Sequence, residues 1–234
     1  MAAPSRFPSG VTNVVKQNPM GMLGMPDPTQ FHTFFDDFDR YVVGDWTITT
    51  TEAGGSSASE ALADVDGGVL LITNDAADND ADFFQKIGAS FLMEAGKSAW
   101  FKARFKVSDA TQSDFVIGLQ ITDTSPLDAT DGIYFQKDDG DANLDFYVRK
   151  NATTGSNSAS AIATVADDTF MTVAWYYDGK SSVAYFVNDV QLGTLAASST
   201  YLPDAQLTVS FGVQNGEAVS KTMSVDYVLA VKQR

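Results

Sequence analysis

The chain has 234 residues, no cysteine and a formal net charge of −15. The lack of thiols excludes a disulfide framework and thiolate metal sites, and so acidic a body argues against direct binding of a phosphate backbone. With 44% apolar residues, among them 16 Phe, 8 Tyr and 3 Trp, one sizeable core can form without a crosslink or a metal.

The opening MAAPSRFPSG lacks the basic start and apolar run of a secretory signal. Nowhere does the sequence hold the roughly 18 uninterrupted apolar residues of a membrane span. A protein made in the cytoplasm, with no membrane partner, is expected. Pro4, Pro8, Pro19, Pro26 and Pro28 crowd the first 28 residues, and proline at that density fixes φ, removes backbone donors and prevents a helix or central strand. Residues 1–30 therefore read as an extended arm. Its charge of +1, against −16 for the rest, sets it apart.

The arm carries Phe7, Val11, Val14, Val15, Met20, Met22, Leu23 and Met25. At about 1.5 to 3 kcal/mol for each side chain fully buried, docking yields on the order of 10 kcal/mol, and ordering some twenty residues costs a comparable amount. A partner surface that also pairs with the arm's backbone tips that balance, and unbranched methionine fits irregular grooves. Phe7, Val11, Val14, Met20, Met22, Leu23 and Met25 are the expected partner-binding residues. An arm folded across its own body, or one without a partner, is the competing reading.

From residue 31 the apolar pattern takes period two, the spacing of a strand with one buried face. In chain order, WFKARFKV (100–107) alternates Phe101, Ala103, Phe105 and Val107 with Lys102, Arg104 and Lys106; DFVIGLQIT (114–122) repeats this with Phe115, Ile117, Leu119 and Ile121. QLTVSFGV (206–213) follows suit with Leu207, Val209, Phe211 and Val213, and KTMSVDYVLAV (221–231) with Met223, Val225, Tyr227, Leu229 and Val231. Turn signals lie between strands at DGG (66–68), DDGDAN (138–143), DG (178–179), ND (188–189) and NG (215–216), as antiparallel connections require. The acids are 26 Asp and only four Glu, which suits turns better than helices. AGGSSASEALA (53–63) and NATTGSNSASA (151–161) read as long exposed loops. About a dozen strands are expected, too many for one flat sheet, so residues 31–234 are predicted to form an all-β sandwich of two antiparallel sheets.

The stretch FMTVAWYYDGKSSVAYFVNDVQLGT (170–194) resembles laminin-G-like and concanavalin A-like jelly rolls, through Trp175, Tyr177, Asp178 and Gly179, then Tyr185, Val187 and Asn188. Asp189 stands where that family usually has glycine. SVDYVLAVK (224–232) is similar to the family's closing strand, and FFDDFD with DWTI (34–48) to its opening one. The fold serves lectins, glycosidases and purely structural proteins, so the likeness implies architecture before function. A second, shorter resemblance covers the first 45 residues: PSRFPSGVTNV, a Gly/Met/Pro segment, PDPTQ and an aromatic-acidic strand start are similar to structural proteins of tailed bacteriophage particles, marine ones especially. A lone jelly roll with an arm most resembles a capsid decoration, or cement, protein. That resemblance implies a place on the virion surface, the major capsid protein as partner, and a homo-oligomer, with a trimer slightly favoured over a dimer.

Glycosidases of this fold commonly hold two carboxylates in a Glu-x-Asp-x-Glu run, one as nucleophile and one as acid; no such run occurs here, and the chain is expected not to be an enzyme. Asp78, Asp80 and Asp82 in NDAADNDAD, and Asp139, Asp141, Asn143 and Asp145, alternate as calcium ligands can, but both sets read as solvated turns, so neither metal nor cofactor is expected. His32 is the only histidine, and is expected to be structural. Tyr134, Tyr147, Tyr176 and Phe186 fall on the second faces of strands, where they would stack on sugar rings if they shared one concave face. The alternative is that those faces are covered. A carbohydrate-binding module of a tail or fibre, and a cryptic glycosidase, thus stay open beside the decoration protein.

Overall fold

The computed structural model describes residues 29–53, 58–63, 65, 67–153 and 157–234, so the arm contacts expected from Phe7 to Met25 lie outside the described residues. Strands are numbered along the chain. One sheet runs, in spatial order, β14 (Val190–Ala196), β13 (Ser182–Val187), β12 (Met171–Tyr177), β7 (Ala99–Val107), β16 (Thr222–Gln233), β4 (Leu70–Thr73) and β3 (Ser59–Leu62), with β1 (Phe31–Asp36) paired to the C-terminal half of β16. The other runs β11 (Ser158–Thr164), β10 (Asn143–Arg149), β9 (Gly132–Lys137), β8 (Ser113–Gln120), β15 (Gln206–Asn215), β5 (Ala81–Lys86) and β2 (Trp46–Thr51), with the short β6 (Phe91–Leu92) beside β15. Every pairing of these strands is antiparallel. Among the described residues the only helical pieces are two single 3-10 turns, Val43–Asp45 and Pro126–Asp128. The chain is a concanavalin A-like jelly-roll sandwich, as the sequence predicts.

The core lies between the sheets and follows the period-two pattern. Phe101, Ala103, Phe105 and Val107 of β7 face Phe115, Ile117 and Leu119 of β8 and Leu207, Val209, Phe211 and Val213 of β15. Rings make much of that contact: Phe84 stacks on Phe211 at 5.5 Å between centroids, Trp46 meets Phe211 edge-on at 5.1 Å, and Phe105 meets Phe115 at 5.0 Å. Such pairs add roughly 0.5 to 1.5 kcal/mol beyond area burial.

Two sequence expectations are corrected here. The stretches read as loops, 53–63 and 151–161, contain strand: the whole of β3, Ser59–Leu62, and the start of β11 from Ser158. Both are edge strands of their sheets, built of Ser and Ala with little burial to impose alternation. A third point resolves a departure. Asn188 and Asp189 both take left-handed φ, 49° and 63°, as a tight hairpin turn between β13 and β14 demands. Asn and Asp tolerate that region, so the glycine usual in the family is not needed.

Candidate functional site

Because side chains alternate along a strand, each sheet turns a second face outward. On the second sheet that face presents Thr49 and Thr51 of β2, Ala81, Phe83 and Gln85 of β5, Ser210, Gly212 and Gln214 of β15, Val116, Gly118 and Gln120 of β8, Tyr134 of β9, and Tyr147 and Arg149 of β10. Its centre is closed by the chain's own connection between β8 and β9. Leu127 packs on Phe83, Val116 and Ala81. The Gln85 amide donates to the carbonyl of Ile121 at 2.9 Å and accepts from the backbone N–H of Asp123 at 2.9 Å, while Nε2 of Gln120 donates to the carbonyl of Pro126 at 2.9 Å. Residues 121–131 thus form a strap over the outer face. Beside it, Thr49, Thr51, Phe83, Pro126, Leu127 and Gln214 line a cleft of about 220 Å³.

Under the other end of the strap, polar groups are left without partners. Oε1 of Gln120, Oδ1 of Asp131 and Nε of Arg149 are buried and make no hydrogen bond among the described residues. In register, Gln120 pairs with Gly132, which pairs in turn with Arg149, so Gln120 and Arg149 flank one point of the sheet.

The four aromatics expected to stack on sugars do not share a face. Tyr134 and Tyr147 lie on the second sheet, stacked on each other at 5.5 Å; Tyr176 and Phe186 lie on the first, on β12 and β13. Tyr134 is fully buried, with Nη1 of Arg149 3.5 Å from its hydroxyl, and burial pushes its pKa up. The covered-face alternative therefore describes Tyr134, and only Tyr147 of that pair keeps a partly open ring.

The first sheet's outer face is open instead. Phe31 meets Trp100 at 5.4 Å, Trp100 meets Tyr176 at 6.4 Å, and Phe35 and Tyr176 stay 57% and 43% exposed. Phe31 follows directly on the turn at Thr29 and Gln30, so this aromatic stripe begins where the N-terminal segment joins the sandwich. Further along, Lys102, Arg104 and Lys106 of β7 each pair with an aspartate, respectively Asp189, Asp226 and Asp168. Arg104 also lies over the Phe170 ring, 4.1 Å from its centroid, at the floor of an open cavity of about 530 Å³ that includes Val65 and Leu71. Lone aromatics in short alternations gave no sequence signal for this stripe, since Phe31 and Trp100 become neighbours only through β16, which lies between their strands.

His32 is structural: Nε2 is 2.9 Å from Oγ of Ser90 and the ring lies 4.8 Å from that of Phe91. Burial, with Arg234, Lys232 and Lys86 nearby, lowers its pKa. The aspartates around 138–145 line a small cavity of about 170 Å³ and are engaged by local donors, Asp141 by Asn143 and Asp145 by the amide of Ala161, which is the solvated-turn arrangement expected. The stretch 74–82 departs from it. Asp80 and Asp82 are buried; burial, then the proximity of Glu60 and Glu52, drives Asp82 up to about 6 despite a hydrogen bond from Thr50. Carboxylate oxygens of Glu52, Asp75 and Asp80 lie within 4.8 Å of one another.

No protein-family model matches the chain, and no curated protein is similar to it in sequence. Solved structures do superpose on it. An endo-1,3-β-glucanase from Streptomyces sioyaensis aligns at 15% identity over 88% of this chain and 98% of that one, with a TM-score of 0.61. An endo-β-1,4-glucuronan lyase from Trichoderma reesei aligns at 12% identity over 86% and 95%, TM-score 0.54. The carbohydrate recognition domain of Emp47p aligns at 12% over 87% and 97%, TM-score 0.57. At these identities the likeness fixes the fold: a concanavalin A-like jelly roll, an architecture of glycan-binding and glycan-cleaving proteins.

One expectation is corrected by this comparison, namely that the chain is not an enzyme. The fold is shared with a glucanase and a lyase. The absence of a Glu-x-Asp-x-Glu run removes one arrangement of two carboxylates and not enzymatic activity as a class, since chemistry on a fold resides in whichever side chains its faces present.

Proposed function

We propose that the chain is a structural component of a bacteriophage particle, a decoration protein on the outer surface of the head that holds the major capsid protein through residues 1–28 and packs against copies of itself, as a trimer, through the outer face of the first sheet. The observation that carries this reading is the contrast between the two outer faces: the centre of the second is covered by the protein's own strap, whereas the first leaves Tyr176 open at the end of an aromatic stripe that begins with Phe31 at the root of the N-terminal segment, and Phe35 exposed further along β1. Exposed apolar surface of this kind marks an interaction site, and many copies on one shell reinforce weak individual contacts. The test is binding of purified protein to undecorated particles. Full-length chain is expected to add density to the shell in electron micrographs, and a chain lacking residues 1–28 is expected not to; equal binding by both overturns the reading.

A second reading, glycan binding at the second sheet, is favoured by the unpartnered Gln120, Asp131 and Arg149 atoms beside the half-open Tyr147 ring. The ring would offer a stacking surface, and sugar hydroxyls would meet the buried atoms once the strap over them opened. A glycan array separates the two: specific retention that falls on Arg149→Ala selects this reading.

A further inference from the structure

The two longest runs of the chain without Asp, Glu, Lys or Arg are 151–166 and 190–203. The fold brings them together, since the first holds β11 and the second β14, the edge strands that end the two sheets on the same side of the sandwich and lie beside each other there. Asn157 fastens one to the other: its Nδ2 donates to the carbonyl of Ala196 at 2.8 Å, and its Oδ1 accepts from the amide of Ala196 at 3.0 Å. The opposite side, where β2 and β3 end the sheets, instead carries Glu60 and, one residue past β2, Glu52. Two bodies of net charge −15 repel each other over most approaches, and of these two sides it is the β11–β14 one whose strands add nothing to that repulsion.

The uncharged side also exposes apolar side chains: Val190 and Leu192 of β14 are 60% and 43% exposed. Leu192 is the extra residue of a bulge, for the register runs from Tyr185 opposite Gly193 to Phe186 opposite Gln191. A bulge interrupts the ladder and blunts an edge against open-ended addition of a further strand, and both backbone groups of Ala196 are already taken by Asn157. What this edge offers a neighbour is therefore side chains in a closed contact, and not a template for a growing sheet.

A ring of three copies cannot be built from one patch. A self-complementary contact closes on a pair, whereas a ring of three needs head-to-tail contact between two different patches of each copy. The outer face of the first sheet supplies one of them: it leaves Phe35 and Tyr176 open, and its Lys102, Arg104 and Lys106 are each neutralised by an aspartate. We propose that the β11–β14 side is the other, so that Val190 and Leu192 of one copy pack against the Phe35 and Tyr176 face of the next; this rests on the trimeric reading given above. β14 is the edge strand of that same sheet, two strands from the β12 that bears Tyr176. The two patches thus sit around one corner of the sandwich, as a ring of few members requires, while patches on opposite sides would propagate a filament.

The test is sedimentation of the full-length chain over a range of concentrations, beside Val190→Asp with Leu192→Asp. A matched control, Thr47→Asp with Ala61→Asp, puts the same two charges on exposed positions of the opposite edges, β2 and β3. Wild type and control are expected as trimers. The β14 variant is expected as monomer, its assembly weakened by at least about tenfold with unchanged circular dichroism; Leu192→Ser alone, a milder change at the bulge, is expected to act in the same direction. Because every contact of such a ring uses both patches, Phe35→Ser with Tyr176→Ser is expected as monomer too. Dimers from either variant overturn the proposal, since each patch would then pair with its own copy. A β14 variant that stays trimeric also overturns it, and leaves the face reading standing where the Phe35 and Tyr176 variant is monomeric. A Phe35 and Tyr176 variant that stays trimeric overturns both, as does a wild type that is monomeric at every concentration.

Discussion

Lys221 holds its ammonium 2.7 Å from the Asp109 carboxylate, tying the residue before the closing strand to the turn after β7. The lysine side chain is only 4% exposed and makes a second contact, to Glu217, also at 2.7 Å. Burial alone would raise the Asp109 carboxyl; the hydrogen bond from Lys221, with those from the amides of Gln112 and Thr111, outweighs it and holds the group at about 2. The folded value is thus below the unfolded one of about 3.9. The pair's stabilisation is fully present above pH ~4 and is lost as pH falls toward ~2. Lys221→Met is expected to cost on the order of 2 kcal/mol at pH 7, with the deficit shrinking below pH ~3. Urea unfolding at pH 7, 4 and 2.5 checks it, and a pH-independent deficit would show that Lys221 acts by packing alone.

Gly212, in the middle of β15, lies under the Phe83 ring. A Cβ there would sit 2.3 Å from the carbonyl oxygen of Asp82 and 2.6 Å from Cα of Phe83. Those are backbone atoms of the neighbouring strand, which cannot swing aside as a side chain can. Gly212→Ala is therefore expected to destabilise the fold by about 3 kcal/mol, the upper end for overpacking by one methyl. Gly140, at a turn with open space around its Cα, has a φ of 90°, so Gly140→Ala tests conformational strain without the clash and is expected to cost only about 1 kcal/mol. Equal costs for the two would refute the packing argument.

What the sequence discloses of this molecule follows from where burial imposes a pattern. β7, β8 and β15 keep one face in the core, and their alternation of Phe, Val and Ile is legible without coordinates; in β16 the alternation read through Tyr227 and Leu229 is corrected by a bulge between Val225 and Tyr227, after which Val228 and Ala230 enter the core instead. β3 and β11 sit at sheet edges, and their Ser and Ala carry no alternation to read. The site was less legible for a different reason. Tyr134 and Tyr176 follow the same local pattern, yet the strands that bear them belong to opposite sheets, a fact fixed by long-range pairing. Asp80 likewise reads as a turn residue; its burial depends on Asn74 and Asn215, the latter more than a hundred residues away, fastening the segment against β15.

The strap across the second sheet hangs on few contacts, and Gln85 supplies several of them. Gln85→Ala removes its bonds to Ile121 and Asp123 and one to Ser210, while Leu127 keeps its apolar seat. Global stability is expected to fall by about 1 to 2 kcal/mol, with neutral hydrogen bonds at roughly 1 kcal/mol each and partial replacement by water. Hydrogen exchange separates local from global loosening: the amide of Asp123 is expected to lose protection by far more than that of Phe211 in the core. Uniform loss across both would mean that the strap and the sandwich open together.

Phe35 and Tyr176 offer the sharpest separation of stability from association. Both are large, 57% and 43% exposed respectively, and on the outer face of the first sheet, so replacing them removes limited buried area from the folded monomer. Phe35→Ser and Tyr176→Ser together are expected to change unfolding free energy by less than about 1 kcal/mol. If that face packs against another copy of the chain, the same side chains lie in an interface, where truncating a buried aromatic commonly costs about 2 kcal/mol or more. Sedimentation of the wild type and the double variant over a range of concentrations reads this directly: a shift of the variant toward monomer is expected at concentrations where the wild type is assembled. Identical sedimentation, with an assembled wild type, would move the contact between copies to another surface, while a wild type that stays monomeric at every concentration would remove the self-packing altogether.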